Sequence, residues 1–159
     1  MGQLREQIAD YEGAARYYRG AFGLQPRRTD LWYWINNNLG YCLIQVGRFK
    51  EAEGHLKVAL AIDSNRSNAF KNLGLALLGQ KESAKAAEYF VLATQANASD
   101  PRSLTHLEQL LDADPELLVE VPDLQHKLDA CRKAVEHAAS QQPDVGARWN
   151  ELRAQQKKP

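Results

Sequence analysis

Residues 38–63, NLGYCLIQVGRFKEAEGHLKVALAID, contain a pattern that returns 34 residues later in the same chain. The triplet Asn-Leu-Gly at residues 38–40 recurs at residues 72–74, and the apolar and small residues after it recur at the same interval. Those matching pairs are Leu43/Leu77, Ala52/Ala86, Leu56/Phe90 and Ala59/Ala93. A constant period of this length indicates that one supersecondary unit is repeated along the chain.

Each unit is predicted to be a pair of antiparallel helices. Apolar residues recur at helical spacing from Ile35 to Val46, Gly47 interrupts the pattern, and a second apolar stripe starts at Ala52. Because Gly40 and Ala52 have little or no side chain, the two helices of a unit can approach closely. The predicted helices span residues 33–46, 49–62, 67–80 and 83–97.

The spacing of Leu39, Gly40, Ala52, Leu56 and Ala59 resembles the helix–turn–helix signature of the tetratricopeptide-repeat (TPR) family. The resemblance implies an all-α fold, a right-handed α-solenoid with full repeats at residues 33–66 and 67–100. The chain lacks the usual family residue at three positions, the early aromatic at Asn36 and the helix-ending proline at Ser64 and Ala98. We expect the fold to tolerate these departures, since the spacing of the packing residues is intact.

Residues 10–21 resemble a TPR second helix, which makes residues 1–26 a partial repeat. In that frame the chain begins in the middle of a first helix, so we expect either a fragment of a longer array or a half-repeat cap. Ala14 and Ala52 are 38 residues apart, four more than the period, and QPRRTD at residues 25–30 is the expected place of an extra turn. An open array end favours pairing with a second copy, which predicts a homodimer through the N-terminal helices.

Residues 101–159 are predicted to be a degenerate repeat followed by C-terminal capping helices. Asp100 is suited to cap a helix whose first residue is Pro101. Proline is tolerated there because the backbone N–H that it lacks would have no partner within the first turn. Glu108 stands where the two full repeats have glycine, so packing there should be looser. A further helix from about residue 123 to residue 140 has one apolar and one charged face, as a terminal cap requires. The whole chain, residues 1–159, is expected to be a single TPR domain.

The first helices of a TPR array line its concave surface, so the resemblance implies a groove whose floor can be identified in the sequence. Helix residues spaced by 4, 7 and 11 lie on one stripe. The stripes from residues 34, 68 and 102 therefore place Asn38, Asn72 and His106 in one polar column. The predicted peptide-binding groove comprises Trp34, Asn37, Asn38, Tyr41, Asn68, Lys71, Asn72, Arg102 and His106.

A column of carboxamides suits the main chain of an extended peptide, since each amide offers two donors and an acceptor. The column resembles the asparagine ladders of peptide-binding TPR superhelices. In this hypothesis Trp34 and Tyr41 pack an apolar side chain, while Lys71 and Arg102 favour an acidic residue or a C-terminus. The alternative is that the asparagine of the repeated triplet is only a common, solvated TPR residue.

The carboxylate clamp of co-chaperone TPRs is a second groove chemistry, and the sequence argues against it. That clamp requires Lys and Asn on one helix, Asn on the next, and Lys and Arg on a third. Asn37 and Tyr41 occupy the first two positions, and Asn68 and Asn72 stand where Lys and Arg are needed, so only Asn38 matches. Amides lack the charge that two carboxylates require.

The residues form no catalytic pattern, and the protein is predicted not to be an enzyme. His126, Cys131 and His137 share one predicted helix, but their spacing does not place three metal ligands on one face. The glycines of GLALLG, residues 74–79, lie inside a predicted helix with no strand before it, unlike those of a phosphate-binding loop. Neither a cofactor nor a metal site is predicted.

Composition limits the classes of partner and location. The chain has 20 basic and 20 acidic residues, which argues against nucleic acid or an anionic membrane surface as the main partner. The sequence shows neither a membrane-spanning apolar run nor a signal-peptide core, so a cytoplasmic location is expected. The expected partner is a protein or peptide, bound by a scaffold or adaptor. The alternatives are a regulatory or substrate-targeting region of a larger enzyme, such as a transferase, and a self-associating TPR segment.

Overall fold

The computed structural model describes residues 10–24 and 28–141, and this part of the chain folds into eight helices with no strand. The helices, numbered in chain order, are α1 (Tyr11–Gly23), α2 (Thr29–Gln45), α3 (Phe49–Ile62), α4 (Ser67–Gly79), α5 (Ser83–Ala96), α6 (Arg102–Ala113), α7 (Leu117–Glu120) and α8 (Leu124–Ser140). The predicted all-α fold is confirmed.

The two full repeats are the helix pairs α2–α3 and α4–α5. Nearly all of their ends agree with the predicted ends to within one residue. The exception is α2, which begins at Thr29 rather than near residue 33. Because α2 has an additional N-terminal turn, the interval between Ala14 and Ala52 is longer than the 34-residue period.

Gly40 and Gly74 are the points of close approach within the two pairs. A Cβ atom added at Gly40 would lie 2.6 Å from Cγ of Leu56, and one added at Gly74 would lie 2.6 Å from a ring carbon of Phe90. Leu56 and Phe90 are fully buried, so neither side chain can move aside into solvent. The prediction that small residues let the paired helices approach closely is confirmed.

The turn between paired helices uses a residue with left-handed backbone geometry in both repeats. Gly47 has a φ of 76°, and Lys81, at the equivalent position of the next repeat, has a φ of 64°. Glycine adopts this conformation without steric cost, whereas the Cβ atom of lysine is crowded there. The turn geometry is therefore repeated even where the residue type is not.

Helix α6 makes contacts that differ from those of the first helices in the two full repeats. Asp100 accepts a hydrogen bond of 3.1 Å from the backbone N–H of Arg102, as expected of a cap at the start of α6. Glu108, which replaces the repeat glycine, forms an ion pair of 2.7 Å with Arg132 of α8. Helix α8 packs against α5 and α6 and buries Leu124, Leu128 and Cys131.

Most buried apolar side chains of the described residues form one cluster that extends from α1 to α8, and Tyr33, Ala59 and Ala69 form a second, smaller one. Across residues 10–24 and 28–141, no helix is both long enough and apolar enough to cross a membrane. The predicted incomplete first helix at residues 1–9 lies outside the described residues, as does the chain after residue 141. The predicted partial repeat at 1–26 and the predicted terminal region at 101–159 therefore stay predictions.

Candidate functional site

The first helices of the repeats lie on the inner side of the array. Helix α2 packs directly against α4, whereas the second helices α3 and α5 make almost no direct contact with each other. A helical array curves toward the side on which its helices are closer together. The concave face is therefore formed by α2 and α4, and α6 is the next first helix along the chain.

Three asparagines and a tyrosine form a chain of hydrogen bonds across this face, which we call the amide relay. Nδ2 of Asn72 donates to Oδ1 of Asn37 at 3.2 Å, and Nδ2 of Asn37 donates to Oδ1 of Asn38 at 3.0 Å. Nδ2 of Asn38 then donates to the hydroxyl oxygen of Tyr18 at 3.3 Å. The amide relay thus connects α4, α2 and α1.

The three asparagines of the amide relay differ in exposure. Asn37 and Asn72 are each 5% exposed, whereas Asn38 is half-buried. The sequence placed Asn38 and Asn72 in one column, but the direct hydrogen bond across the repeats joins Asn72 to Asn37. Asn38 is therefore the asparagine of the amide relay that is most accessible to a bound molecule.

A second polar pair, Asn36 of α2 and His55 of α3, connects the two helices of the first full repeat. Asn36, which replaces the expected aromatic residue, is 1% exposed and donates from Nδ2 to the backbone oxygen of Trp32 at 2.8 Å. Its Oδ1 lies 3.0 Å from Nδ1 of His55, so the imidazole is the donor in that contact. Burial, followed by the charge of Arg19, lowers the pKa of His55. An asparagine at a position that is usually aromatic indicates a buried polar partner. The sequence did not identify His55 as that partner.

Trp34 is held at the start of α2 by two contacts. Its ring packs edge-on against Tyr33 with centroids 5.4 Å apart, and the Arg66 guanidinium lies 4.9 Å from its centroid. Trp34 remains 40% exposed, so its ring can still cover an apolar side chain. Tyr41, farther along α2, packs edge-on against Tyr11 of α1 at 5.9 Å. Sequence analysis did not include Arg66, because it lies before α4 rather than on the predicted stripe.

We call three basic side chains the basic cluster: Lys71 of α4, and Arg102 and His106 of α6. Arg102 forms a bidentate ion pair with Asp100. Its Nη2 lies 2.6 Å from Oδ2 of the carboxylate, and its Nε lies 2.8 Å from Oδ1. The His106 ring lies over Phe90 of α5 with centroids 5.5 Å apart. Lys71 and His106 are half-buried, whereas Arg102 is exposed.

Burial and neighbouring charges both shift pKa values within the basic cluster. Burial, and then the charge of Arg102, lowers the pKa of Lys71. Burial, and then the charge of Lys71, lowers the pKa of His106. The hydrogen bond from Arg102 lowers the pKa of Asp100 to about 2, so this carboxylate is ionised and already paired at neutral pH. Burial is thus the first cause of the lowered pKa values of Lys71 and His106, and the neighbouring positive charges add to it.

The nine predicted groove residues thus fall into groups along the concave face. The amides of residues 37, 38 and 72 are linked by hydrogen bonds, and the basic residues 71, 102 and 106 interact by charge. Asn68 is half-buried in the first turn of α4. Tyr41 lies close enough to Arg102 to influence its pKa. Binding by these residues stays a prediction.

Metal ligation has no support in the described ranges, where no group of three or more His, Cys, Asp or Glu side chains is arranged to hold an ion. The two cysteines, Cys42 and Cys131, are buried and are not joined in a disulfide.

Comparison with known sequences places the repeat pattern in a wider context. No family model matches the chain. The curated human protein "Tetratricopeptide repeat protein 7B" is 30% identical over 100 residues, which are 63% of this chain and 11% of that protein. The chain therefore corresponds to only a small part of this much longer relative.

Comparison with solved structures gives the fold. "MamA 41-end from Desulfovibrio magneticus RS-1" is similar with a TM-score of 0.68 and 20% identity, over 89% of this chain and 73% of that one. A second structure, "MamA RS-1 ArsTM double mutant", gives a TM-score of 0.65 and 19% identity, over 84% and 72% of the two chains. At these identities the likeness shows a common fold alone.

Proposed function

We propose that this chain, a tetratricopeptide-repeat array, is a non-enzymatic interaction module whose concave groove holds an extended peptide segment of a partner protein. The observation that supports the proposal is the amide relay, which connects α1, α2 and α4. Each amide nitrogen carries two hydrogens, and the relay uses one of them. Asn38 can therefore keep its contact with Tyr18 and still donate to a peptide carbonyl.

Amide contacts alone are too weak for a stable complex. A hydrogen bond contributes about 0.5–1.5 kcal/mol net, whereas a micromolar complex needs roughly 8 kcal/mol. Trp34 is exposed next to the amides, and burial of an apolar side chain on its ring supplies the additional free energy. The proposed ligand therefore carries an apolar anchor residue.

The spacing of the helices sets the length of the ligand. Packed helices lie about 8–10 Å apart and an extended chain advances about 3.3 Å per residue, so a peptide passes one first helix every three residues or so. Trp34 on α2 and the basic cluster near α6 are two helix steps apart. We expect an apolar residue and an acidic residue separated by about six positions.

Selection from a peptide library tests this function. Peptides enriched from a phage-displayed library on the wild-type protein are synthesised, and their affinities are measured by calorimetry. We expect the double variant Trp34→Ala, Asn38→Ala to bind about 10- to 100-fold more weakly, from the loss of one apolar contact and one hydrogen bond. Asn72→Ala is less suitable, because Asn72 is buried and bonded to Asn37.

The matched control replaces an apolar residue and an amide elsewhere on the array. Leu92 and Gln95 are exposed on α5, a second helix, so Leu92→Ala, Gln95→Ala should leave the affinity unchanged. Circular dichroism checks that both double variants remain folded. Equal affinity of the groove variant and the wild type, or an equal loss in both variants, would overturn the proposal.

The cytoplasmic location stays part of the proposal as well.

A further inference from the structure

The guanidinium group of Arg66 lies over two aromatic rings of α2 at once. Its carbon Cζ is 4.7 Å from the ring centroid of Tyr33 and 4.9 Å from that of Trp34. The two rings are almost perpendicular, with an interplanar angle of 80° and centroids 5.4 Å apart. Because one cation lies over both rings, Arg66 and Tyr33 are on the same side of the Trp34 ring. The other side of that ring is covered by neither of them.

Asp63 holds the guanidinium group in this place. The Nε atom of Arg66 donates to Oδ2 of Asp63 at 2.7 Å, and the backbone N–H of Asn65 donates to Oδ1 at 3.0 Å. A planar guanidinium can bond to a carboxylate through its edge while its face lies on a ring. The ion pair belongs to the turn between α3 and α4, so Arg66 connects this turn to the first part of α2.

The two rings differ in how firmly the rest of the protein holds them. Tyr33 is buried and packs against Ala59 and Ala69, so its ring is enclosed on several sides. Trp34 is exposed, and the contacts with Arg66 and Tyr33 hold its ring from one side. An exposed side chain loses rotamer freedom when a ligand orders it, and a contact that orders it beforehand removes that cost.

This arrangement is present in the first full repeat and absent from the second. The second repeat has neither the two rings nor the guanidinium at the equivalent positions, which are Ser67, Asn68 and Asp100. Packing that is common to both repeats therefore does not require the arrangement. It surrounds the exposed aromatic ring of the proposed groove, which favours a role in holding that ring for a ligand.

We propose that Arg66, held by Asp63, is a positioning residue for the groove ligand. It fixes the Trp34 ring from one side, so that the apolar anchor of the ligand packs on the other side. This inference rests on the proposed function, because it explains how the anchor site is formed before the ligand binds. Arg66 acts through Trp34 and not through a contact of its own with the ligand.

The first test needs no ligand. The protein is labelled with 5-fluorotryptophan, and the fluorine NMR signal of Trp34 is assigned with Trp34→Phe. In Arg66→Ala this signal should move at least halfway toward its position in urea, because the ring loses the contact that orders it. The signal of Trp32, which packs against Phe22, should stay in place and thereby show that the variant is folded.

A second variant keeps this test decisive if Arg66→Ala does not fold. Asp63→Asn removes the charge that holds Arg66 but retains the guanidinium and both rings. It should move the Trp34 signal in the same direction, by a smaller amount. A Trp34 signal that stays in place in both variants would overturn the inference.

The second test is a double-mutant cycle with a synthesised peptide. The peptide is one enriched from the phage-displayed library, its anchor is identified by alanine scanning, and a matched peptide carries alanine at that position. By calorimetry, Arg66→Ala should weaken the anchored peptide about 3- to 10-fold and the alanine peptide less than about twofold. In protein that also carries Trp34→Ala, the same change should have no effect. Equal losses for both peptides, or a loss that persists without Trp34, would overturn the inference.

Arg48 provides the matched control. Its side chain is 40% exposed and that of Arg66 is 38% exposed, and each pairs with a carboxylate three residues away. Arg48 lies before α3, on the turn between paired helices, rather than over Trp34. Arg48→Ala should therefore change neither the Trp34 signal nor the affinity of the anchored peptide. Equal effects of the two arginine variants would reveal a general effect of charge and reject the positioning role.

The outcome can be distinguished from that of the proposed function. If library peptides bind the Trp34→Ala, Asn38→Ala variant as well as the wild type, the proposed function fails, while the fluorine spectra still decide whether Arg66 fixes the ring. Conversely, peptides that need Trp34 and Asn38 but bind Arg66→Ala with unchanged affinity support the groove and reject the positioning role.

Discussion

At the residue scale, burial decides what each amide of the concave face can do. Asn37 and Asn72 are almost completely enclosed and bond to each other, which fixes one first helix against the next. Asn38 is half-buried and bonds to the Tyr18 hydroxyl. Hydrogen bonds between buried amides maintain the array, and the accessible amide is the one suited to a ligand.

This division predicts different stability losses for two similar substitutions. Asn37→Ala leaves the buried Nδ2 of Asn72 without its acceptor, and such a loss costs about 1–3 kcal/mol. Asn38→Ala also removes an acceptor, that of Asn37, but it should cost less, about 0.5–1 kcal/mol, because the half-buried position that Asn38 vacates admits water as the new acceptor. Urea unfolding of both variants measures the difference. A larger loss for Asn38→Ala than for Asn37→Ala would contradict the assignment.

The sequence predicted which residues are polar on the concave face but not how they pair. Helical spacing within α2 places Asn38 on the groove stripe, and this needs only local geometry. The contact between Asn37 and Asn72 depends on the rotation of α2 against α4, which the pattern of a single helix does not contain. The same limit applies to His55, whose partner Asn36 lies on a different helix.

At the element scale, the closeness of the paired helices depends on glycine. Gly40 and Gly74 each face a fully buried side chain of the second helix, so even a methyl group at either position would overlap it. At the corresponding place on α6, Glu108 instead reaches Arg132 of α8. A salt bridge between α6 and α8 thus occurs where the two full repeats have close backbone packing.

Gly74→Leu should therefore destabilise the protein, since over-packing of a closed core costs about 1–3 kcal/mol. The matched control is Gly54→Ala on α3, where an added Cβ atom has no neighbour within 4 Å. Alanine favours helix over glycine, so this variant should gain about 0.5–1 kcal/mol. Thermal and urea unfolding measure both changes. A neutral Gly74→Leu would show that α4 and α5 are not held together at this point.

The helix boundaries could be predicted from the sequence because they depend on local signals. The apolar spacing and the glycine turn gave α3, α4 and α5 almost to the residue. The beginning of α2 was missed, since Thr29 and Asp30 were interpreted as part of an inserted turn rather than as helix. The residues by which the interval from Ala14 to Ala52 exceeds the repeat period therefore lengthen α2, and do not form only a loop.

At the scale of the whole molecule, the groove has different chemistry at its two ends. Trp34 lies exposed near the start of α2, the amide relay crosses α1, α2 and α4, and the basic cluster lies near the start of α6. A ligand that satisfies all three regions has an apolar residue at one end and a carboxylate at the other. The proposed function therefore predicts that a peptide binds in one direction only.

The central claim is that a ligand lies on the concave face, and site-specific photo-crosslinking tests it most directly. The photoreactive residue p-benzoylphenylalanine replaces either Trp34 on α2 or Leu92 on α5, which are 40% and 41% exposed and are therefore equally accessible. Each variant is irradiated with a peptide enriched from the library, and the cross-linked product is quantified by mass spectrometry. We predict cross-linking from position 34 and almost none from position 92. Equal yields at the two positions, or a higher yield from position 92, would contradict binding in the concave groove.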